Sequence, residues 1–343
     1  MNLAVKSLSI EDDDLIEWNR IVAENDWGDG LPTVPPTVKR VNAFLASIKN
    51  LSADVSPIPP RGITPSLEVL AANAVMAGCR PEHFRAAIAA LRASLNESFN
   101  LHGVLATTHP ATPMVFFNGP VRKELGINGG TNCLGQGVEA NAVIGRALHL
   151  FHTNIGGATP GKLDKATHGT PGKYSYCFAE NEEESPWDPY HVRQGFEKEQ
   201  SVATVVAAEA PHNVNDHGST SAQEIATTIA GTMSQTGSNA VYLHAGPHFL
   251  IMGPEHARTI VDDGWSLADL QAALFERSRV HESRITAGNI ATFNHKGKKP
   301  INGYYYLGTS PDQIEIVVAG GPGKHSMWIP TFGSTVASSA VVD

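Results

Sequence analysis

PMVFFNGP, residues 113–120, and PHFLIMGP, residues 247–254, share their first residue and their final Gly-Pro, and both lead into sequence with helical character. Their β-branched and aromatic residues predict buried strands. Outward from the first, Thr64-Pro65 reads as a helix start running to Ala77, and Pro81 opens a second helix to about Leu95. GVLATTHPATPMVFFNGP, residues 103–120, then reads as two short strands. Outward from the second, Ser221 and Glu224 form a capping-box pattern for a helix to about Met233, and NAVYLHAGPHFLIMGP, residues 239–254, reads as strand, turn, strand. The recurrence predicts a duplicated unit and an α/β fold: mainly parallel or mixed sheets with flanking helices, in two related α/β halves.

The expected division is an N-terminal helical and extended arm (1–60), a first α/β half (61–155), an irregular lid or site wall (156–200) and a second α/β half (201–343). The arm should hold helices from Glu11 to Asn25 and from Thr37 to Ile48. Apolar runs end in a similar way at Pro120, Pro211, Pro254 and Pro322. Ligands of open α/β sheets gather at the carboxyl ends of strands, so the loops there are the first place to look for a site.

Composition narrows the partners. The chain has 343 residues, 41% of them hydrophobic, enough for a substantial core, and a formal charge of -9 without a basic run. That argues against nucleic acid. No apolar run approaches the roughly 20 residues a membrane helix needs. The opening MNLAVKSLSIEDDD turns acidic where a signal peptide stays apolar, so a cytoplasmic protein is expected. Cys79, Cys133 and Cys177 lie far apart and form no CxxC pair.

PHNVNDH, residues 211–217, follows the strand candidate SVATVVAAEA and precedes the capped helix. His212 and His217 are candidate ligands for a divalent metal (Zn, Mn or Fe), joined by His244 or His109 from the two turns of the duplicated unit. Asp216 would orient an imidazole, ligate the ion or move protons, and Asn213 would hold a substrate oxygen. The bland alternative is a hydrogen-bonded polar turn.

GINGGTNCLGQGVEANAVIGRAL, residues 126–148, forms a second constellation, in which Gly129 and Gly130 let the backbone approach an anionic group. Cys133 is a candidate nucleophile or redox thiol there, or an ordinary buried cysteine. Arg146 would clamp a carboxylate or pair with the acidic loop. Glu180, at the start of ENEEES, is a candidate base, with Asn181 beside it. AGGPGKHS, residues 319–326, presents Lys324 and His325 as a further wall. Neither GxGxxG nor a P-loop occurs, so no nucleotide cofactor is expected.

DGLPTVPPT, AVMAGCRPEHF, TTHPATPMVFFNGP, ANAVIGRAL, YCFAENEEESPWDP and PHNVNDH together resemble a bacterial family related to UGSC-type (seleno)proteins, over residues 26–260. The four-residue motif behind that label does not occur in this sequence. The resemblance implies no particular reaction, but it keeps cysteine chemistry in view.

The expectation from sequence is a metal-assisted hydrolase, hydratase or lyase acting on a small carbonyl or carboxylate compound, assembled as a homo-oligomer. The alternatives are a cysteine-dependent enzyme centred on Cys133 and a non-catalytic small-molecule binding or subunit-interaction protein.

Overall fold

The computed structural model describes residues 14–48, 55–243, 246–333 and 335–343. In chain order the helices are α1 (Leu15–Glu24), α2 (Val38–Ser47), α3 (Leu67–Met76), α4 (Phe84–Ser94), α5 (Leu101–Ala106), α6 (Val121–Glu124), α7 (Glu139–Leu150), α8 (Tyr190–Arg193), α9 (Ala222–Met233), α10 (Asn239–Leu243), α11 (Pro254–Asp262), α12 (Leu267–Arg277) and α13 (Ala287–His295). The strands are β1 (Thr112–Asn118), β2 (Cys177–Ala179), β3 (Val202–Ala208), β4 (His212–Asn215), β5 (His248–Met252), β6 (Arg279–His281), β7 (Tyr304–Tyr306), β8 (Ile314–Val318), β9 (His325–Ile329) and β10 (Ser338–Val341). Among the described residues no helix is long and apolar enough to cross a membrane.

PMVFFN and HFLIM are the corresponding inner strands β1 and β5 of two four-stranded mixed sheets, ordered β10-β3-β1-β2 and β4-β9-β5-β8. β1 is parallel to β2 and antiparallel to β3; β5 is parallel to β8 and antiparallel to β9. The two halves exchange their outer strands. β4 follows β3 in the chain but pairs with β9, and β10 follows β9 but pairs with β3. The exchange occurs beside the bridge between Ala208 and Thr331. A boundary at residue 201 therefore cuts ahead of β3, which belongs to the first sheet.

Period-two alternation explains how the layers stack. Val115 and Phe117 of β1, with Val205 of β3, face a core shared with α3, α4 and α7. Leu250 and Met252 of β5, with Trp328 of β9, face a second core shared with α9, α11 and α12. The intervening residues Met114, Phe116, Phe249, Ile251 and Ile329 form a third core between the sheets. The result is a four-layer α-β-β-α sandwich. Gly119 and Gly253 sit at matching strand ends, and a Cβ on either would lie 2.0 Å from a backbone carbonyl, that of Gln200 just ahead of β3 in one half and that of His325 in β9 in the other. That crowding accounts for the repeated Gly-Pro.

Several expectations are corrected. GVLA is helical, in α5, so residues 103–120 hold one strand rather than two. NAVYL is likewise helical, in α10, where the first strand of the second pair was expected. Thr64-Pro65 precedes α3, whose N-cap is Ser66, accepting from Val69 N. Cys177–Ala179, expected in an irregular segment, is β2, paired with Val115–Phe117.

Candidate active-site cleft

Two loops from different halves meet at the carboxyl ends of β5 and β8. Gly320 N donates to Gly129 O (2.8 Å), and Asn181 N donates to Val318 O (2.8 Å). A Cβ on Gly321 would lie 2.1 Å from Thr131 Oγ1, so that loop needs glycine to approach so closely, while a Cβ on Gly129 would lie 2.3 Å from Ala179 O in its own half, so glycine there lets the first loop lie against the end of β2.

Adjoining hollows of about 280 and 470 Å³ open there and share Thr131, Gly320, Gly321 and Pro322. The smaller is also lined by Cys133, Ile251, His325 and Met327. The larger is lined by Gly130, Asn181, Glu184, Glu255, Arg258 and Lys324. Arg258 pairs with Glu184 (2.8 Å) and Glu255 accepts from Gly323 N (2.6 Å), so the wall carries both signs of charge. The sandwich and this cleft define the class: an α/β protein with a largely apolar cleft, edged by charged side chains, at the strand ends where its halves meet.

His325 is held by β4. Its Nδ1 lies 3.0 Å from Asn213 Oδ1 and its Nε2 lies 3.2 Å from His217 Nε2. Lys324 Nζ donates to the carbonyls of His217 (3.3 Å) and Ser219 (3.5 Å). The structure thus brings together Cys133, Gly129, Gly130, Asn181, Asn213, His217, Lys324 and His325 from the sequence analysis.

The remaining candidates lie elsewhere. His212 is one residue out of phase with Asn213, so alternation turns it to the other face of β4, beside Gln235 (3.2 Å) and the Trp328 ring (5.3 Å). Burial there holds its imidazole below the usual value. The expected His212–His217 ligand pair is therefore not formed. His109 packs edge-on against Phe332 just before β1, away from the cleft lining, and His244 lies outside the described residues.

Asp216 caps the turn before α9: its carboxylate accepts from Ser219 N (3.0 Å) and Ser219 Oγ (2.7 Å). Burial pushes its pKa up, but hydrogen bonds from Thr228 and Ser219 outweigh this and hold it below the usual value. It is a turn cap rather than a proton carrier. Glu180 is buried outside the cleft lining, accepting from Asn118 Nδ2 (2.5 Å) and Tyr190 N (2.8 Å). Burial raises its pKa. Arg146 makes a two-pronged bond to Asp29 (2.6 and 2.8 Å) and donates to the carbonyls of Leu31 and Pro32, so it anchors the N-terminal arm, and not a ligand or the acidic loop.

Sequence reading missed Thr131, Glu255 and Arg258. The Gly253-Pro254 helix start was the available signal for the last two, because α11 opens onto the cleft and a residue one turn in reaches the same wall.

No protein-family model matches this chain, and the search of curated proteins finds no match. Among the described residues, no group of three or more His, Cys, Asp or Glu is arranged to hold a metal.

Proposed function

We propose that the protein is an enzyme catalysing hydrolysis, hydration or elimination on a small carbonyl or carboxylate compound bound in this cleft, with the His217–His325 pair moving the proton. One observation carries the reading. An amide oxygen only accepts hydrogen bonds, so Asn213 fixes the proton of His325 on Nδ1 and leaves the Nε2 lone pair as an acceptor when the ring is neutral. That nitrogen belongs to a ring lining the cleft and lies 3.2 Å from the Nε2 of His217, through which a proton passes on. Lys324, whose ammonium bonds only to backbone carbonyls among the described residues, gives a carboxylate its counter-charge, while Asn181 and Thr131 offer hydrogen bonds.

The test is a turnover screen of small esters, amides, enoates and hydroxy acids with wild type, His325→Ala and His217→Ala. A general base contributes roughly 10²–10⁴-fold, so turnover should fall at least a hundredfold in His325→Ala. Equal rates in all three proteins would refute the reading. A compound that binds tightly and is recovered unchanged would point instead to a binding protein.

A cysteine-dependent reaction is the second reading, favoured by Cys133 lining the same 280 Å³ hollow as His325. Burial pushes its thiol up to about 11, so the reaction would need His325 to take the thiol proton. An active Cys133→Ala variant would remove this reading.

A further inference from the structure

We infer that His217 and His325 form a divalent-cation site, with Asn213 fixing the orientation of one ligand; the inference rests on the cleft being the active site. Two nitrogens bound tetrahedrally to one zinc-sized ion, each about 2.0–2.1 Å from it, lie about 3.3 Å apart. The observed separation of the Nε2 atoms is 3.2 Å, with the rings at 83° to each other and their centroids 5.0 Å apart. Two neutral imidazoles sharing a proton would occupy a similar distance, so the neighbouring groups must decide.

His325 donates Nδ1–H to the side-chain oxygen of Asn213 (3.0 Å), the kind of outer hydrogen bond that orients a metal-ligating histidine and raises its basicity. The loop carrying His217 is pinned at Asp216. Asp216 N donates to Lys324 O (3.3 Å) and Asp216 O accepts from His256 Nε2 (3.1 Å), so His217 does not need to be recruited from a loose loop. The pair supplies two ligands, one fewer than an open catalytic zinc site has, and the remaining positions fall to water or to oxygens of a bound carboxylate. The ion would take the same Nε2 lone pairs that the proton uses, so at this pair ion binding and proton transfer exclude each other. Lys324, whose ammonium bonds to the carbonyl of His217, is the opposing charge and lowers affinity for a cation.

The experiment titrates chelator-treated full-length protein with Zn²⁺ and Co²⁺, using calorimetry and the visible spectrum of bound cobalt. One ion per chain is expected. Affinity should fall at least tenfold in His217→Ala and in His325→Ala, and about tenfold in Asn213→Ala, since outer-shell changes typically cost 10–100-fold. It should tighten in Lys324→Met. Circular dichroism confirms that each variant is folded, and His217, on an exposed loop, is the safest to change. Absence of binding by wild type, or unchanged binding in both histidine variants, overturns the site. If no ion binds and His325→Ala still abolishes turnover, the metal inference fails and the acid–base reading survives. If the pair binds the ion and both variants turn over normally, the failure falls on the acid–base reading.

Discussion

His256 donates through Nε2 to the backbone carbonyl of Asp216, 3.1 Å away, and so ties α11 to the loop that carries His217. With its Nε2 proton committed, Nδ1 accepts from Ser326 Oγ at 2.9 Å. Serine, imidazole and a fixing carbonyl resemble a nucleophile with its base. Ser326 borders the smaller hollow, but strand alternation puts it in phase with Trp328 toward the helices, where it is buried and its Oγ also accepts from Gly253 N. His256 is a positioning residue. His256→Leu leaves Ser326 and the Asp216 carbonyl without this partner and should cost about 1–3 kcal/mol in urea unfolding. A structural role alone would stop there. Positioning also requires that Zn²⁺ affinity at the His217–His325 pair fall, with partial recovery in His256→Gln. Unchanged stability and unchanged affinity in His256→Leu would show that the tie does neither.

Arg146 and Asp29 are mostly buried, and the guanidinium also satisfies the carbonyls of Leu31 and Pro32. Removing one partner of such a pair strands the other, at about 3–5 kcal/mol when burial is complete. Arg146→Ala should therefore lose about 2–4 kcal/mol by urea unfolding, with faster proteolysis in the turn at residues 26–37. Arg146→Lys keeps the charge but not the fork and should recover only part of this. Wild-type stability in Arg146→Ala would show that the arm is held by its apolar contacts alone.

The contrast between Arg146 and His325 shows what could be read from sequence. The strand ends were legible because FFNGP and LIMGP repeat a local constraint, a glycine forced by a neighbouring carbonyl. The loops at 129–133 and 319–325 were legible because glycine clusters after strands mark close backbone approach. The pairing of His217 with His325 was not legible, since it depends on β4 crossing into the other half's sheet, and no local pattern records an exchanged strand. Arg146 failed for a similar reason: its partner lies 117 residues away. His212 failed on phase. It is adjacent to Asn213 in sequence, but on a strand neighbours face opposite ways.

Stability should respond to pH with opposite signs through two buried histidines and the half-buried Glu209. Burial lowers His149 and His152 to about 4 and about 3, from 6.5. Between those values and 6.5 the unfolded chain binds more protons, so their contribution is present above pH 6.5 and is lost as pH falls toward 3. Burial raises Glu209 to about 7, from 4.5. There the folded chain binds more protons, and stability is lost as pH rises from 4.5 to 7. Urea midpoints across pH 4–8 should show Glu209→Gln gaining on wild type through that interval and holding a constant advantage above it. His152→Gln should show the reverse, with its deficit shrinking below pH 6.5. Parallel curves for wild type and both variants would mean that these groups titrate alike folded and unfolded.

Cys133 gives a test of the cleft's interior that needs no substrate. Burial pushes its thiol up to about 11, and it lines a hollow large enough to admit a small reagent. An ordinary cysteine titrates near about 8.5, so at pH 8 the thiolate fraction of Cys133 should be on the order of a hundredfold lower. Labelling by iodoacetamide, followed site by site in the mass spectrum, should run at least tenfold slower than for a free thiol and still be accelerating at about pH 10. Cys79 and Cys177, which burial raises further, should label later still. A bound divalent ion beside His325 would lower the pKa of a nearby thiol, so Zn²⁺ should change the Cys133 rate and leave the other two alone. Rapid labelling of Cys133 at pH 7 in metal-free protein would mean that the thiol is already activated, and the cysteine reading would then displace the imidazole one.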